Sequence, residues 1–318
     1  MEVLIDNKNG TVWDMPVESV EWKTSRIGKA GVLDVKLIIE EPLKYPVNNG
    51  DIIRVTDGEQ KVFYGYVFDV GYGKDTQVSI KAYDQLRYLM YEDTFVIPST
   101  TASIAIKKIV TDAGVKVGAF ENTKYKVPGI ADVYKAFDAV SKFLDSTLIA
   151  TNRNFVLYDD FGLLVLKNIN NMKIAADDFY IGEESLLFDF DYKKSIDKET
   201  YNRVKLVQDN EKTGKREVYI VQDSANIAKW GRLQEFRQVD KNMTPAQIKD
   251  LADQIIRLRN RETKILDLDC LGDWRVRAGS FVYLYIEKLG IKEYFLVDDC
   301  THKWNSGIHT MSLKVMVI

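Results

Sequence analysis

The chain has 318 residues, of which 46% are hydrophobic and 29% charged, as expected for a globular protein with a sizeable core. Its formal net charge is −3 and no basic patch stands out, which argues against tight nucleic-acid binding. Cys270 and Cys300 are too few for a disulfide framework and fit synthesis in a reducing cytosol. Residues 1–6 are predicted as a first strand rather than a signal peptide, and no apolar run is long enough for a membrane anchor.

Residues 1–95 are predicted to form an antiparallel β-domain. Apolar residues alternate at period two, and Asp57-Gly58 is a hairpin signal. A short helix is expected over Asp84–Glu92, and a run of hairpins of this kind closes most readily as a small barrel or sandwich. The predicted strands are Ser19–Ser25, Gly31–Glu40, Asp51–Thr56, Lys61–Val70 and Gln77–Tyr83.

Residues 96–185 are predicted to form a small α+β insert. One helix is expected over Ser103–Ala113, because its apolar residues lie on one helical face and Gly114 follows. Asp132 is a candidate cap for a second helix. The predicted hairpin consists of Asn154–Tyr158 and Gly162–Lys167.

Residues 186–318 return to β-structure, interrupted by a helix. Thr244-Pro245 supplies a cap and a proline at the first helical position, so we predict a helix over residues 244–262. Asp223–Arg232 is predicted to be a connector. The predicted strands are Tyr201–Gln208, Arg216–Gln222, Lys264–Leu271, Phe281–Ile286 and the two strands of a hairpin over Tyr294–Ile318. The fold class is therefore mainly β with an α+β insert, and no exact sequence repeat relates the two β-domains.

Both histidines of the chain flank the last turn. Cys300, His302 and His309, with Cys270 as a fourth ligand, could in principle bind zinc. Their spacing matches no familiar zinc motif, and three ligands from one hairpin need an unusual geometry. The simpler interpretation is a buried cysteine and two hydrogen-bonded imidazoles, so we predict no metal and no cofactor.

Pairs of adjacent carboxylates are the first candidates for catalysis. Neighbouring strand residues point to opposite faces, so no such pair forms a catalytic dyad by itself, although carboxylates from different strands could. The sequence has no nucleophile elbow, phosphate-binding loop or dinucleotide fingerprint. Aromatic residues in Lys61–Val70 and at Tyr283 and Tyr285 could stack on a glycan, but cross-strand packing is the more common role. The carboxylate pairs are Asp159-Asp160, Asp177-Asp178, Glu183-Glu184 and Asp298-Asp299.

Several motifs, each weak alone, together resemble the XkdQ/YqbQ-like family of PBSX-type prophage tail proteins. Their order and spacing extend over essentially the whole chain. Trp230 departs from the pattern, because tyrosine is common there. The motifs are Ala82-Tyr-Asp-Gln-Leu, Thr101-Ala-Ser-Ile-Ala-Ile, Lys229-Trp-Gly-Arg232, Val276-Arg-Ala-Gly-Ser-Phe-Val-Tyr-Leu, the strand from Tyr294 to His302, and His309-Thr-Met-Ser-Leu.

The resemblance implies a fold, a place and a set of partners. The family is similar to baseplate hubs of contractile phage tails and R-type bacteriocins and to the hub part of type VI secretion spikes. It implies two tail-tube-like antiparallel β-barrel domains around the insert, and a homotrimer joining a six-fold tail tube to a three-fold spike. The implied partners are the trimeric spike protein, the tail tube or tube-initiator protein, the tape measure protein, and LysM-type adaptor and wedge proteins. The implied location is the baseplate of a virion or tail-like particle, after synthesis in the bacterial cytoplasm.

The resemblance also gives the motif residues architectural roles. Gly231 and Gly279 are expected at turns, and His302 and His309 are expected to brace the last hairpin at a barrel rim, with Trp304 between them. Trp230 belongs to the motif around Gly231, and helix 244–262 resembles the helix that covers a tube-type barrel. No catalytic residue is implied. The alternatives are a tail-associated peptidoglycan hydrolase and a cell-wall or glycan-binding module.

Overall fold

The computed structural model describes residues 1–39, 46–74, 76–197, 200–210, 214–239, 241 and 243–317. Glu40 and Ile318, the ends of two predicted strands, lie outside them. The helices are α1 (Ala102–Asp112), α2 (Ala136–Thr151), α3 (Ser224–Trp230) and α4 (Pro245–Arg259), with 3₁₀ turns at Gln85–Leu89, Ile169–Met172 and Glu287–Leu289. None of the helices in these ranges is long and apolar enough to span a membrane.

Most of the described residues belong to β-strands. The first twelve are β1 (Glu2–Asp6), β2 (Val12–Asp14), β3 (Val17–Ser25), β4 (Val32–Ile38), β5 (Ile52–Asp57), β6 (Gln60–Tyr72), β7 (Gln77–Tyr83), β8 (Glu92–Ile97), β9 (Thr100–Thr101), β10 (Val117–Phe120), β11 (Lys126–Val127) and β12 (Ile130–Lys135). The others are β13 (Phe155–Asp160), β14 (Leu163–Asn168), β15 (Tyr180–Gly182), β16 (Leu187–Ser195), β17 (Arg203–Asn210), β18 (Lys215–Gln222), β19 (Gln234–Gln238), β20 (Thr263–Leu271), β21 (Phe281–Ile286), β22 (Ile291–Asn305) and β23 (Ile308–Met316).

One large sheet joins strands from both ends of the chain. It contains thirteen of the described strands in the order β16-β20-β23-β22-β3-β4-β7-β6-β5-β1-β2, with β21 and β15 continuing from β22. Alternate residues of these strands point into two apolar cores, one in each half of the sheet. The fold is thus mainly β, as predicted.

The two halves of this sheet have the same strand order. In chain order β3, β4, β5, β6 and β7 pair as β3-β4-β7-β6-β5, and β16, β20, β21, β22 and β23 pair as β16-β20-β23-β22-β21. A register shift occurs at the same place in both, between Val67 and Asp69 in β6 and between Val297 and Asp299 in β22. The fold therefore contains an internal repeat.

Main-chain hydrogen bonds repeat as well. The Gly50 amide donates to Val67 O at 2.7 Å, and the Val67 amide donates to Asp51 O at 2.9 Å. In the second half the Gly279 amide donates to Val297 O at 2.8 Å, and the Val297 amide donates to Ser280 O at 2.9 Å. When the two halves are aligned on these hydrogen bonds and register shifts, Val78-Ser-Ile-Lys81 corresponds to Met311-Ser-Leu-Lys314. Leu33-Asp34 then corresponds to Leu266-Asp267.

The central segment packs two helices against a small sheet. Helices α1 and α2 share one core with the sheet β10-β14-β13. The predicted helix cap at Asp132 is wrong, because Asp132 lies in β12 opposite Phe95 of β8 and the helix begins only at Ala136. Pairing with β8 therefore overrides the local helix signal in this segment.

The helix predicted over residues 244–262 is α4, with Thr244 as its cap. Thr244 Oγ1 accepts from the Gln247 amide and Gln247 Oε1 accepts from the Thr244 amide, which forms a capping box. The helix packs on the separate three-stranded sheet β18-β17-β19, through Ile248, Ala252 and Ile255. This location differs from the barrel-covering position that the resemblance implied. The whole unit is inserted between β16 and β20.

Candidate functional site

The last hairpin places both histidines beside the line where the two halves of the sheet meet. Strands β22 and β23 are joined at Ser306 and Gly307, both with positive φ, as in a tight hairpin turn. His302 lies opposite Met311, and Trp304 lies opposite His309. His302 is fully buried, because its position on β22 points inward between the halves.

The two imidazoles form a directed hydrogen-bond chain. His302 Nε2 is 2.8 Å from the carbonyl oxygen of Val276, which can only accept, so Nε2 carries the proton. His302 Nδ1 is then the acceptor for His309 Nε2–H at 3.0 Å. With His309 donating from Nε2, His302 accepts at Nδ1 and is neutral; a second proton on His302 would oblige His309 to change its tautomer and accept instead.

Burial accounts for the charge state of these groups. It lowers the pKa of His302 to about 4, and the neighbouring His309 acts in the same direction. Burial also lowers the pKa of His309 and raises the pKa of the Cys270 thiol to about 12 and that of Cys300 further still. These thiols are packed as apolar groups rather than as reactive ones.

The same geometry bears on the zinc hypothesis. Cys300 Sγ lies 3.2 Å from His302 Nε2, whereas His309 contacts Nδ1 on the other side of the ring. The candidate ligands therefore do not converge on one point. Within the described part of the chain, no group of three or more His, Cys, Asp and Glu side chains has an arrangement that could hold a metal ion.

Aromatic rings tie this cluster to both halves of the sheet. Trp274 stacks on His309 at 3.8 Å between ring centroids, and Trp22 of β3 stacks on His302 at 5.4 Å. Trp274 Nε1 donates to Asp57 Oδ2 at 2.8 Å, next to the β5–β6 turn. Since Trp22 and Asp57 belong to the first half, the cluster is a joint between halves. Trp304 packs against the first-half core, as does Trp274.

The glycines of the sequence motifs lie at turns. Gly279 has φ +94° just before β21, and an added Cβ would lie 3.0 Å from Val156 Cγ1. Gly231 has φ +77° and ends α3, and its carbonyl accepts from Asn202 Nδ2 at 2.7 Å. Trp230 is the last residue of α3, beside the sheet β18-β17-β19, so Trp230 and Gly231 belong to a different part of the fold from the histidine cluster.

The joint itself is an antiparallel pairing of β22 with β3. Asp299 lies opposite Ser25, Thr301 opposite Lys23, and the register continues to Asn305 opposite Ser19. The Arg26 side chain pairs with Asp298 at 2.9 Å. This pairing makes the two repeated halves into one continuous sheet.

The solvent face of this sheet is mainly polar, although Ile38 and Ile308 are exposed on it. In β20, Asp267 and Asp269 are exposed, whereas Leu266, Leu268 and Cys270 are buried. Acidic residues concentrate at the β16 end, where Asp189 lies opposite Asp269 and Asp191 opposite Asp267. The acidic and basic residues at the joint form mixed ion pairs, including Lys23–Asp34, Lys81–Asp34 and Lys303–Glu21.

One buried pair of carboxylates was not found from the sequence. Asp84 and Asp159 are both buried and accept main-chain hydrogen bonds, Asp84 from Gly31 and Leu86 and Asp159 from Gly162 and Gln85. Burial raises the pKa of Asp159 to about 6 and raises that of Asp84 strongly, and their mutual repulsion adds to the increase for Asp84. All of these hydrogen bonds hold loops in place, so the two carboxylates have a structural role. Asp84 and Asp159 come together only through contacts between three separate chain segments.

The aromatic residues of β6 pack against the first-half core, the segment Tyr83–Tyr88 and one residue of the insert, Phe161. Phe63 is buried, and Tyr64 contacts Phe161 edge-on at 5.7 Å. Tyr66 contacts Tyr88 at 5.6 Å. These contacts are cross-element packing rather than an open stacking platform, and the most exposed aromatic residues of β6 are Phe68 and Tyr72.

Solved structures that share this fold include phage tail proteins. The 43 kDa tail protein of prophage MuSo2 from Shewanella oneidensis superposes with a TM-score of 0.71 at 13% identity, covering 99% of this chain and 98% of that one. A tail protein from Neisseria meningitidis MC58 gives a TM-score of 0.70 at 13% identity, covering 99% and 96%. In the Francisella PdpA–VgrG complex, one chain matches with a TM-score of 0.55 at 10% identity, covering 99% of this chain and 57% of that chain. The chain thus has the fold of phage tail proteins.

Sequence comparison gives the family. The Bacillus subtilis (strain 168) protein YqbQ is 25% identical over 315 residues, covering 96% of this chain and 94% of its own. XkdQ of the phage-like element PBSX, from the same organism, is 25% identical over 314 residues with the same coverage. The YqbQ-like family model matches residues 20–316, and the chain belongs to this family. The predicted resemblance is confirmed.

Proposed function

We propose that this chain is the structural baseplate hub of a contractile phage tail or tail-like particle. In this role it is a homotrimer that connects a six-fold tail tube to a three-fold central spike, and it has no catalytic activity of its own. Family membership and the shared fold of phage tail proteins support a place in the tail. The protein then acts through its interfaces within the particle.

The internal repeat is the observation that carries this proposal. One chain contains the same five-strand order twice, and the two sets are joined in one sheet by β22 and β3. Three copies would therefore present six similar units to a six-fold tube while keeping three-fold symmetry towards a spike. A chain with a single set would need another device to join the two symmetries. In the same proposal the domains are residues 1–95, 96–185 and 186–318, and each of the two outer domains contains a tube-like barrel, which in the second is interrupted by the unit inserted between β16 and β20.

The polar face of the sheet supports a role around a channel. Asp189, Asp191, Asp267, Asp269 and Asp299 lie on neighbouring strands of that face. Lys314 lies opposite Asp267 and Asp299, but carboxylates outnumber lysines at this end of the sheet, so it would repel a phosphate backbone rather than retain it. We infer that it faces the passage for the tape measure protein or the genome.

Light scattering on the purified chain, alone and mixed with its candidate spike protein, tests the proposal. We expect three times the chain mass, either for the chain alone or once the spike is added. A monomer under both conditions would overturn the trimeric hub. Peptidoglycan cleavage or glycan binding by the isolated chain would instead support the hydrolase or binding-module alternatives.

A further inference from the structure

Two strand edges in the repeat have no neighbouring strand among the described residues, although the equivalent edge in the other half of the sheet has one. In the second half, the end of β22 pairs with β23 on one edge and with β3 on the other. Its counterpart in the first half, the end of β6, pairs with β7 alone among the described strands. Likewise β3 pairs with both β4 and β22, whereas its counterpart β16 pairs with β20 alone in the described ranges.

We propose that these two free edges meet between copies: β16 of one chain pairs antiparallel with the end of β6 in a second copy. This contact would repeat between chains the pairing that β3 and β22 make within the chain. It deepens the hub proposal and rests on it, because that proposal supplies the second copy. An exposed edge presents unpaired amide and carbonyl groups, which a strand of suitable register satisfies.

The repeat fixes the register of this contact. The register shift aligns Asp69 with Asp299, and each lies opposite the lysine of its neighbouring strand, Lys81 or Lys314. The same alignment places Val17–Ser25 on Leu187–Ser195, with a shift after the first residue in each strand. Asp299 lies opposite Ser25 within the chain. Asp69 therefore lies opposite Ser195 of the second copy, and Tyr72 lies opposite Tyr192.

The exposure of side chains along these edges supports the proposal that a second copy covers them. His302 is 0% exposed beneath Trp22, whereas its counterpart Tyr72 is 56% exposed. The counterpart of Trp22 is Tyr192, so the second copy would cover Tyr72 with an aromatic ring. A tyrosine on each side would bury a large area, and the Tyr72 hydroxyl already donates to Val47 O at 3.2 Å.

An apolar pair replaces an ion pair at the end of this register. Within the chain, Asp298 at the shift in β22 pairs with Arg26. Their counterparts are Phe68, which is 37% exposed, and Ile196. Ile196 is already partly buried, so contact between the two edges would mainly shield the exposed part of Phe68.

The contact is head-to-tail, because each copy uses β6 towards one neighbour and β16 towards the other. Such heterologous contacts close into a ring when the rotation between copies fits the ring. In such a ring, half of the contacts between neighbouring units are the β22–β3 pairings within each chain. The occupant is therefore a second copy of this chain rather than an unrelated peptide.

Disulfide trapping in the full chain tests the register. The variant Asp69→Cys with Ser195→Cys places thiols directly opposite each other, and the native thiols Cys270 and Cys300 are buried. We expect copper-catalysed oxidation, with the spike present, to link copies into a closed ring on a non-reducing gel. Asp299→Cys with Ser25→Cys is the matched positive control, since its link forms within one chain.

An out-of-register variant supplies the negative control. Asp69→Cys with Lys194→Cys moves one thiol to the opposite face, so linking should fall at least tenfold. A trimer by light scattering without links at the predicted pair would overturn the register and leave the trimeric hub intact. Equal linking in both variants would also overturn it. A chain that stays monomeric with the spike and forms no links would overturn both proposals.

Discussion

The substitution His302→Gln should remove an acid-sensitive component of stability. The glutamine amide can donate to Val276 O and accept from His309 as the imidazole does, but it does not titrate in this range. His302 has its pKa lowered to about 4, mainly by burial. A base with a lowered pKa stabilises the fold above its unfolded pKa, near 6.5, and loses that contribution as the pH falls towards 4.

The magnitude follows from the two pKa values. Each pH unit of difference corresponds to about 1.4 kcal/mol, so the full effect is about 3 kcal/mol at low pH. Between about pH 7.5 and about pH 5, wild type should lose about 2 kcal/mol more than the variant. At the higher pH the variant itself should be less stable by about 1–2 kcal/mol, because it loses the stack on Trp22.

Urea unfolding followed by tryptophan fluorescence is a suitable assay, because Trp22 and Trp274 both contact His302. The difference between variant and wild type cancels contributions from other titrating groups that are common to both proteins. The decisive quantity is the change in that difference between the two pH values. A change below about 0.5 kcal/mol would refute the inference that His302 is buried neutral.

Three further predictions test separate parts of the fold. Gly279→Ala should destabilise by about 1–3 kcal/mol, from its positive φ and its close contact, whereas Gly290→Ala, with φ +64° and open space, should cost less in the same urea assay. Because burial raises the pKa of Asp159 to about 6, this group should remove up to about 3 kcal/mol of stability as the pH rises from about 4 to about 8; Asp159→Asn keeps the contribution of Asp84 and should lose less than wild type by up to that amount, measured by urea unfolding across that range. Cys270 and Cys300 should resist a thiol reagent in the native protein and react fully in urea; rapid labelling of the native protein would contradict their burial.

The sequence by itself determined the local elements and the family. Period-two alternation predicted most strands, because one side of each strand faces a core. Thr244-Pro245 marked the start of α4, since capping is a local interaction. The helix cap predicted at Asp132 is wrong because that segment is not determined locally. Pairing with Phe95, which lies earlier in the chain, makes it a strand.

Only the tertiary structure decided which strands pair and where the two halves meet. The repeat was hidden in the sequence because its strands share an alternation and a register rather than identical residues, and a long insertion separates β16 from β20. The neutral state of His302 and the proximity of Asp84 to Asp159 likewise depend on side chains from distant segments. Sheet register and burial are set by long-range contacts, so their energies cannot be read from neighbours in the chain.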